Sequence, residues 1–150
     1  MSKHVLVAFA TLLLALAPRA SAQNITEAQA RAINAPWYSL FNVATRGDVK
    51  SLQEQVLTPH YECAGYLPGE CWGRDTSIKV VGNFSNSIPD MKFVIKEVLA
   101  SGDRVIVRDE VTGTLAGELF GEPHTGMSFR IMAIDIQTIR DGKIAKTYHT

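Results

Sequence analysis

Residues 129–148 read FRIMAIDIQTIRDGKIAKTY, and this stretch decides the fold. From Phe129 to Arg140 the periodicity is two, β-branched side chains dominate, and Asp141-Gly142 separates that run from a second, Lys143 to Tyr148. Asp-Gly is hairpin chemistry, because the tight turns that join antiparallel strands need residues at φ > 0. The same design stands upstream, where Met91 to Ala100 and Arg104 to Thr114 flank Gly102-Asp103. Four antiparallel strands are expected. The connection from Gly117 to Gly126, with Gly121 and Pro123 inside it, is too long for a tight turn and suits the rim of a pocket.

Toward the N-terminus the periodicity changes from two to that of a helix. Thr26 caps a run through Ala28, Ala30, Ala32 and Ile33, with Pro36 marking a break or a fresh start before Trp37, Leu40 and Phe41. Asp48 caps a second helix through Val49, Leu52 and Val56. It ends at Thr58-Pro59, since the residue before proline avoids the α region. A third helix is expected from about Arg74 to Asn83, where Ile78, Val81 and Phe84 recur every third residue before Ser87-Ile88-Pro89-Asp90 interrupts them. Helices gathered on one face of a bent antiparallel sheet make an α+β domain whose concavity is a natural small-molecule site.

Residues 1–22 are set apart from that domain. Lys3 opens a short polar start, Val5 to Ala17 is an apolar run shorter than the ~20 residues a bilayer needs, and Ala20-Ser21-Ala22 supplies small residues for cleavage. We read them as a secretory signal peptide cleaved after Ala22, which predicts a secreted or periplasmic domain over 23–150. Of the 15 Lys+Arg and 15 Asp+Glu, Lys3 and Arg19 leave with the signal, so 13 basic residues face 15 acidic ones. A formal charge of −2 without a basic stripe points away from nucleic acid, and no membrane association is expected after cleavage. In an oxidising compartment the only two cysteines, Cys63 and Cys71, separated by seven residues that include Gly65 and Pro68-Gly69, are expected to form a local disulfide. A zinc site is the rival, but His60 is the one nearby ligand and no CxxC or HxxxH spacing supports it, so no metal is expected.

Ile88-Pro89-Asp90, Gly102-Asp103-Arg104-Val105, Gly113-Thr114, Gly117, Gly121-Glu122-Pro123, Thr125-Gly126, Ile134-Asp135 and Asp141-Gly142-Lys143-Ile144 occur in an order and spacing that resembles the SnoaL-like polyketide cyclase group. That group has the nuclear-transport-factor-2-like fold, shared with ketosteroid isomerase and scytalone dehydratase, and the resemblance spans about Gly73 to Tyr148. It implies a cone in which three helices pack into a strongly curved sheet, and a small hydrophobic or polyketide-like substrate. It also implies catalysis without metal or cofactor, in which a pocket Asp deprotonates a carbon activated by carbonyls and a His assists. The family's Asp falls at Asp135 or near Phe129. Where the family often reads Gly-Thr-His-x-Gly, this chain reads Gly113-Thr114-Leu115-Ala116-Gly117, and Cys63 stands near the register of a second common His.

The residues themselves offer a short set of acid/base candidates. Asp135 shares the face of Phe129, Ile131 and Ala133 by period-two alternation; if that face is enclosed, burial raises its pKa toward that of a useful base. A place on the solvated face is the alternative. Asp109 shares a face with Val105, Val107 and Val111, and Arg108 or Arg130 are the candidate partners for either carboxylate. His149 is the histidine retained as a second proton carrier, while His60 and His124 read as linker and rim residues. Trp37, Tyr38, Phe41, Phe129 and Tyr148 are the expected pocket lining. Absence of a Gly-x-Ser-x-Gly elbow, P-loop or Gly-x-Gly-x-x-Gly sets hydrolase and nucleotide chemistry aside. Three readings follow: a cofactor-free lyase or isomerase, a non-catalytic binder of hydrophobic ligands, and a domain that dimerises through its sheet face. A filled cone would single out the third.

Overall fold

The computed structural model describes residues 24–65, 69–119, 122–123 and 126–150. The signal-peptide reading of 1–22 and His124 lie outside them. Three helices come first: α1 (Glu27–Ser39), α2 (Val49–Val56) and, after two strands, α3 (Arg74–Ser87). Strands β1 (Leu57–Ala64) and β2 (Cys71–Gly73) precede α3; β3 (Lys92–Ser101), β4 (Arg104–Thr114), β7 (Ser128–Arg140) and β8 (Lys143–His149) follow it. The short pair β5 (Glu118–Leu119) and β6 (Glu122–Pro123) forms its own ribbon. The six longer-range strands make one curved sheet in the order β2-β1-β8-β7-β4-β3, and the helices cover its inner face.

Local chemistry sets these boundaries. The Thr26 hydroxyl accepts from the Gln29 backbone N–H while the Gln29 side chain accepts from the Thr26 N–H, a capping box that starts α1. Asp48 caps α2 through the Ser51 N–H at 2.7 Å. The hairpin turns use Gly102 at φ 61° and Asp141-Gly142 at φ 52° and 72°, as Gly-Asp and Asp-Gly predict. Helix α1 continues through Pro36, where a break was expected. It does so because Trp37 and Tyr38 just beyond are buried, and two interred aromatic rings at ~1.5 to 3 kcal/mol each offset the ~3 kcal/mol cost of an interior proline.

The sheet is mixed where an antiparallel one was expected, because β1 lies parallel to β8, with Cys63 beside Thr147 and Ala64 beside Tyr148. Thr58-Pro59 sits inside this strand, and the register shift between Leu57 and Glu62 absorbs the proline's missing donor. The Cys63–Cys71 disulfide is not formed, and both thiols are free. Cys63 pairs with Trp72 and Cys71 with Ala64, so side-chain alternation sends the two sulfurs to opposite faces of the β1–β2 hairpin.

The core fills the space between α1, α3 and the sheet. Trp37, Leu40 and Phe41 lie against Leu57, Tyr61, Val98, Val105, Val107, Ile139 and Ile144. Phe41 meets Trp37 edge-on at 5.2 Å and Phe93 at 4.5 Å between ring centroids. The link from α3 to the sheet explains two motifs. A Cβ on Gly113 would lie 2.4 Å from the Ile88 Cγ2, so the Ile88 side chain occupies the space that only glycine leaves. The Asp90 carboxylate accepts from the Thr114 N–H at 2.6 Å, which holds its carboxyl below the usual range.

Candidate functional site

The inner face of the sheet carries the site. Along β7 the residues facing the helices are Ala133, Asp135 and Gln137, all buried, and along β4 they are Val105, Val107, Asp109 and Val111. Asp135 thus occupies the enclosed face, one of the two positions open to it in the sequence. Its carboxylate is 1% exposed and engaged at both oxygens. The Tyr38 hydroxyl, brought over the sheet by α1, donates to Oδ2. His149, directly opposite Asp135 in the β7–β8 ladder, sets its Nδ1 2.7 Å from Oδ1. Tyr, Asp and His from three elements therefore form one hydrogen-bonded chain, a constellation able to accept a proton and to stabilise an oxyanion.

Close backbone approach fixes the His149 end. Thr150 exchanges backbone hydrogen bonds with Ile134 at 2.8 and 3.0 Å. Gly65, at φ 106°, passes so near that a Cβ there would stand 1.9 Å from the His149 carbonyl oxygen. Only glycine satisfies both conditions.

Asp109 lies on the same face, on the strand next to β7. Val107 is directly opposite Asp135 and Asp109 opposite Ala133, so the two carboxyls are diagonal neighbours. Neither Asp109 oxygen has a hydrogen-bond partner among the described residues. Burial first, then the charge of Asp135, push its carboxyl up to about 7, with His149 pulling the other way. The arginines considered as partners face elsewhere: Arg108 pairs with Glu97 at 3.0 Å and Arg130 with Glu110 at 3.1 Å. Both lie at even positions whose side chains leave the outer face, which is the physical reason they miss the carboxylates.

The lining residues divide. Trp37 and Phe41 are core, Phe129 packs against the core beside Gly113, and Tyr38 belongs to the proton-carrying chain itself. Tyr148 does not line the interior; the alternation that points His149 inward turns it out, where it is 45% exposed and Lys146 sits over its ring at 4.9 Å. Leu115, at the position of the family's histidine, is buried in the core. Burial pushes the Cys63 thiol up to about 12, so it is a poor nucleophile at neutral pH.

Sequence reasoning missed a second polar group on this wall. Tyr61, Cys63, Gln137 and Thr147 are buried, with Cys63 opposite Thr147 and Thr147 opposite Gln137. The alternation of Tyr61 and Cys63 with His60 and Glu62 signals the strand, but Pro59 conceals it. Trp37, Phe41, Tyr61, Cys63 and Phe84 surround an interior cavity of about 10 Å³, room for one water molecule. Among the described residues no group of three or more His, Cys, Asp or Glu is arranged to hold a metal ion.

Comparison with known proteins agrees with this architecture. The family model described as SnoaL-like polyketide cyclase matches residues 38–150. TsrD from Streptomyces laurentii superposes with a TM-score of 0.71 at 19% identity, covering 84% of this chain and 90% of its own. A SnoaL-like protein from Jannaschia sp. CCS1 gives 0.73 at 19%, covering 83% and 85%. A protein with a ketosteroid isomerase-like fold from Catenulispora acidiphila, solved with trimethylamine, gives 0.64 at 13%, covering 79% and 83%. No curated protein matches the sequence significantly.

Proposed function

The chain belongs to the SnoaL-like polyketide cyclase family, and we propose that it is a cofactor-free acid/base catalyst of the cyclase or isomerase kind, acting on a small, enolisable, polyketide-like carbonyl compound. The observation that carries this reading is the buried Tyr38–Asp135–His149 chain. Asp135 takes the proton from the carbon beside a carbonyl, and the C–H electron pair moves onto the carbonyl oxygen as an enolate. Tyr38 or His149 then supplies the hydrogen bond that the oxyanion needs, and return of the proton at a second atom completes an isomerisation or closes a ring. The test is hydrogen–deuterium exchange at the α-carbon of a panel of cyclic ketones. Asp135→Asn should abolish exchange with the thermal melt kept. Exchange no faster than buffer in the wild type would overturn the catalytic reading.

The outer face of the sheet favours a second reading, a domain that dimerises through it. On the outer face, Leu99, Ile106, Ile136 and Tyr148 stand in register across β3, β4, β7 and β8, each 40–53% exposed. Ion pairs Arg108–Glu97 and Lys146–Glu62 place both signs of charge on the same sheet, a pattern a second copy of this chain can complement. Export belongs to either reading and rests on residues 1–22 alone. The intact mass of the protein recovered outside the cytoplasm should begin at Gln23.

A further inference from the structure

We propose that Asp109 is a positioning residue of this site: it holds a proton from mild acid up to near neutrality and thereby, over that range, confines the negative charge of a carboxyl pair to Asp135. The argument is one of placement. Asp109 and Asp135 are both fully buried and are diagonal neighbours on one face of β4 and β7. Their surroundings differ in kind. Asp135 receives the Tyr38 hydroxyl on one oxygen and faces His149 Nδ1 with the other, so a negative charge there meets two donors. Asp109 meets none, and both its oxygens are buried without a partner among the described residues.

The groups packed around Asp109 support only the neutral form. Its own strand contributes Val107 and Val111, β3 contributes Ile95 directly opposite, and β7 contributes Ala133 on the other side. The titratable groups that act on it are Asp135 from β7 and His149 from β8. Arg108, Arg130 and Lys96 are engaged on Glu97 and Glu110 instead. An anion at Asp109 would be desolvated, unpaired and beside a second carboxylate, three penalties of the same sign. A proton on Asp109 removes all three. Burial first, and then the Asp135 charge, push the Asp109 carboxyl up to about 7, in the same direction. A β-bulge marks the position: the β3–β4 register shifts between Ile95 and Glu97, beside the Asp109 pairing.

The consequence for the site is a division of labour between two identical side chains. With its neighbour neutral, Asp135 is the one charged acceptor and keeps its donors aligned. Were Asp109 to ionise, two like charges would compete for Tyr38 and His149. This role rests on the proposed acid/base reading only where activity is measured, and the first two measurements below are independent of catalysis.

The side-chain carboxyl carbon of Asp109, assigned through its own Cβ protons in ¹³C-labelled full-length mature protein, is followed by NMR against pH. The expected midpoint lies near 7. In Asp135→Asn the midpoint should fall, since the like charge is gone while burial remains. A midpoint among those of the exposed carboxylates, or one that Asp135→Asn leaves unmoved, overturns the proposal. The third measurement is the pH profile of α-proton exchange. The wild type should show an inflection near the Asp109 midpoint that Asp109→Asn lacks. A wild-type inflection that persists in Asp109→Asn refutes the positioning role. Absence of exchange in the wild type refutes the catalytic reading instead, and the two titrations still decide the state of the pair.

Discussion

Replacing Asp109 by leucine should stabilise the protein by an amount that grows with pH. The carboxyl is displaced from 3.8 to about 7 in the native state, burial being the larger cause and Asp135 the second. Three units at ~1.4 kcal/mol each give an order-of-magnitude linkage of about 4 kcal/mol. Below 3.8 both folded and unfolded chains hold the proton, and the contribution is fully present. Between 3.8 and about 7 the unfolded chain releases its proton while the native state keeps it, so native stability declines. Above about 7 the native state loses its proton as well, and the decline levels off. Leucine removes the titration and leaves a constant difference in packing. Urea unfolding of both proteins from about pH 4 to pH 8 should therefore give a stability difference that rises by about 3 to 4 kcal/mol across the series, roughly 10 °C in Tm at the upper end. Asp109→Asn should follow the same slope with a smaller offset, because its buried amide lacks partners. A difference that is flat with pH, or one that falls, would refute the assignment of Asp109 as a buried neutral carboxyl.

Three further outcomes are expected. Gly65→Ala should cost about 2 to 4 kcal/mol by thermal melting and lower α-proton exchange at least tenfold, since its Cβ would strike the His149 carbonyl at 1.9 Å; an unchanged melt would show that the strand end yields freely. Thiol titration should find one fast-reacting cysteine in the folded protein, the exposed Cys71, and two after unfolding without reductant; no thiols in the unfolded sample would restore the disulfide. Ile136→Lys, at the centre of the outer apolar row, should convert a dimer to a monomer in sedimentation without lowering Tm by more than a few degrees, and a monomeric wild type would remove that surface from the argument.

Much of the fold was legible because its strands are governed by local rules. The β-rich runs from Arg104 to Thr114 and from Phe129 to Arg140 are bounded by Gly-Asp and Asp-Gly turns, so those strands stand within a residue of their expected ends. Asp48 likewise announces α2. Strand β1 was illegible for an equally physical reason. Pro59 reads as an interruption, and only pairing with β8, 80 or so residues away in sequence, makes the segment a strand. The disulfide expectation failed at the same place. Seven-residue spacing says the chain can close, but the face each sulfur takes depends on a strand the sequence did not declare. Of the candidate site, the sequence named Asp135, Asp109 and His149, which the fold brings onto neighbouring strands. The identity of their partners was not legible, because Tyr38 reaches Asp135 across 97 positions, and no local period encodes that contact.

The polar groups of the interior have a distribution that argues about the chemistry. Leu115 is packed in the core, and Cys63 is a buried thiol that burial drives away from ionisation. The polar groups of the candidate site, Asp109, Asp135, His149 and Tyr38, are gathered instead on β4, β7, β8 and the second half of α1. A domain kept only for stability gains nothing from this arrangement, because apolar replacements of similar volume in a buried polar cluster are commonly neutral or stabilising. Asp109 sharpens the point: with no donor and a carboxylate beside it, it costs stability throughout the neutral range. An acid/base site supplies a use for that cost. If Asp109→Leu stabilises the fold and also erases the pH inflection of proton exchange, stability and activity oppose one another at a single side chain, the signature of a functional residue. If it stabilises the fold with no effect on exchange, the same carboxyl is a defect in the core of a dimerising module, and the outer face becomes the surface on which this chain acts.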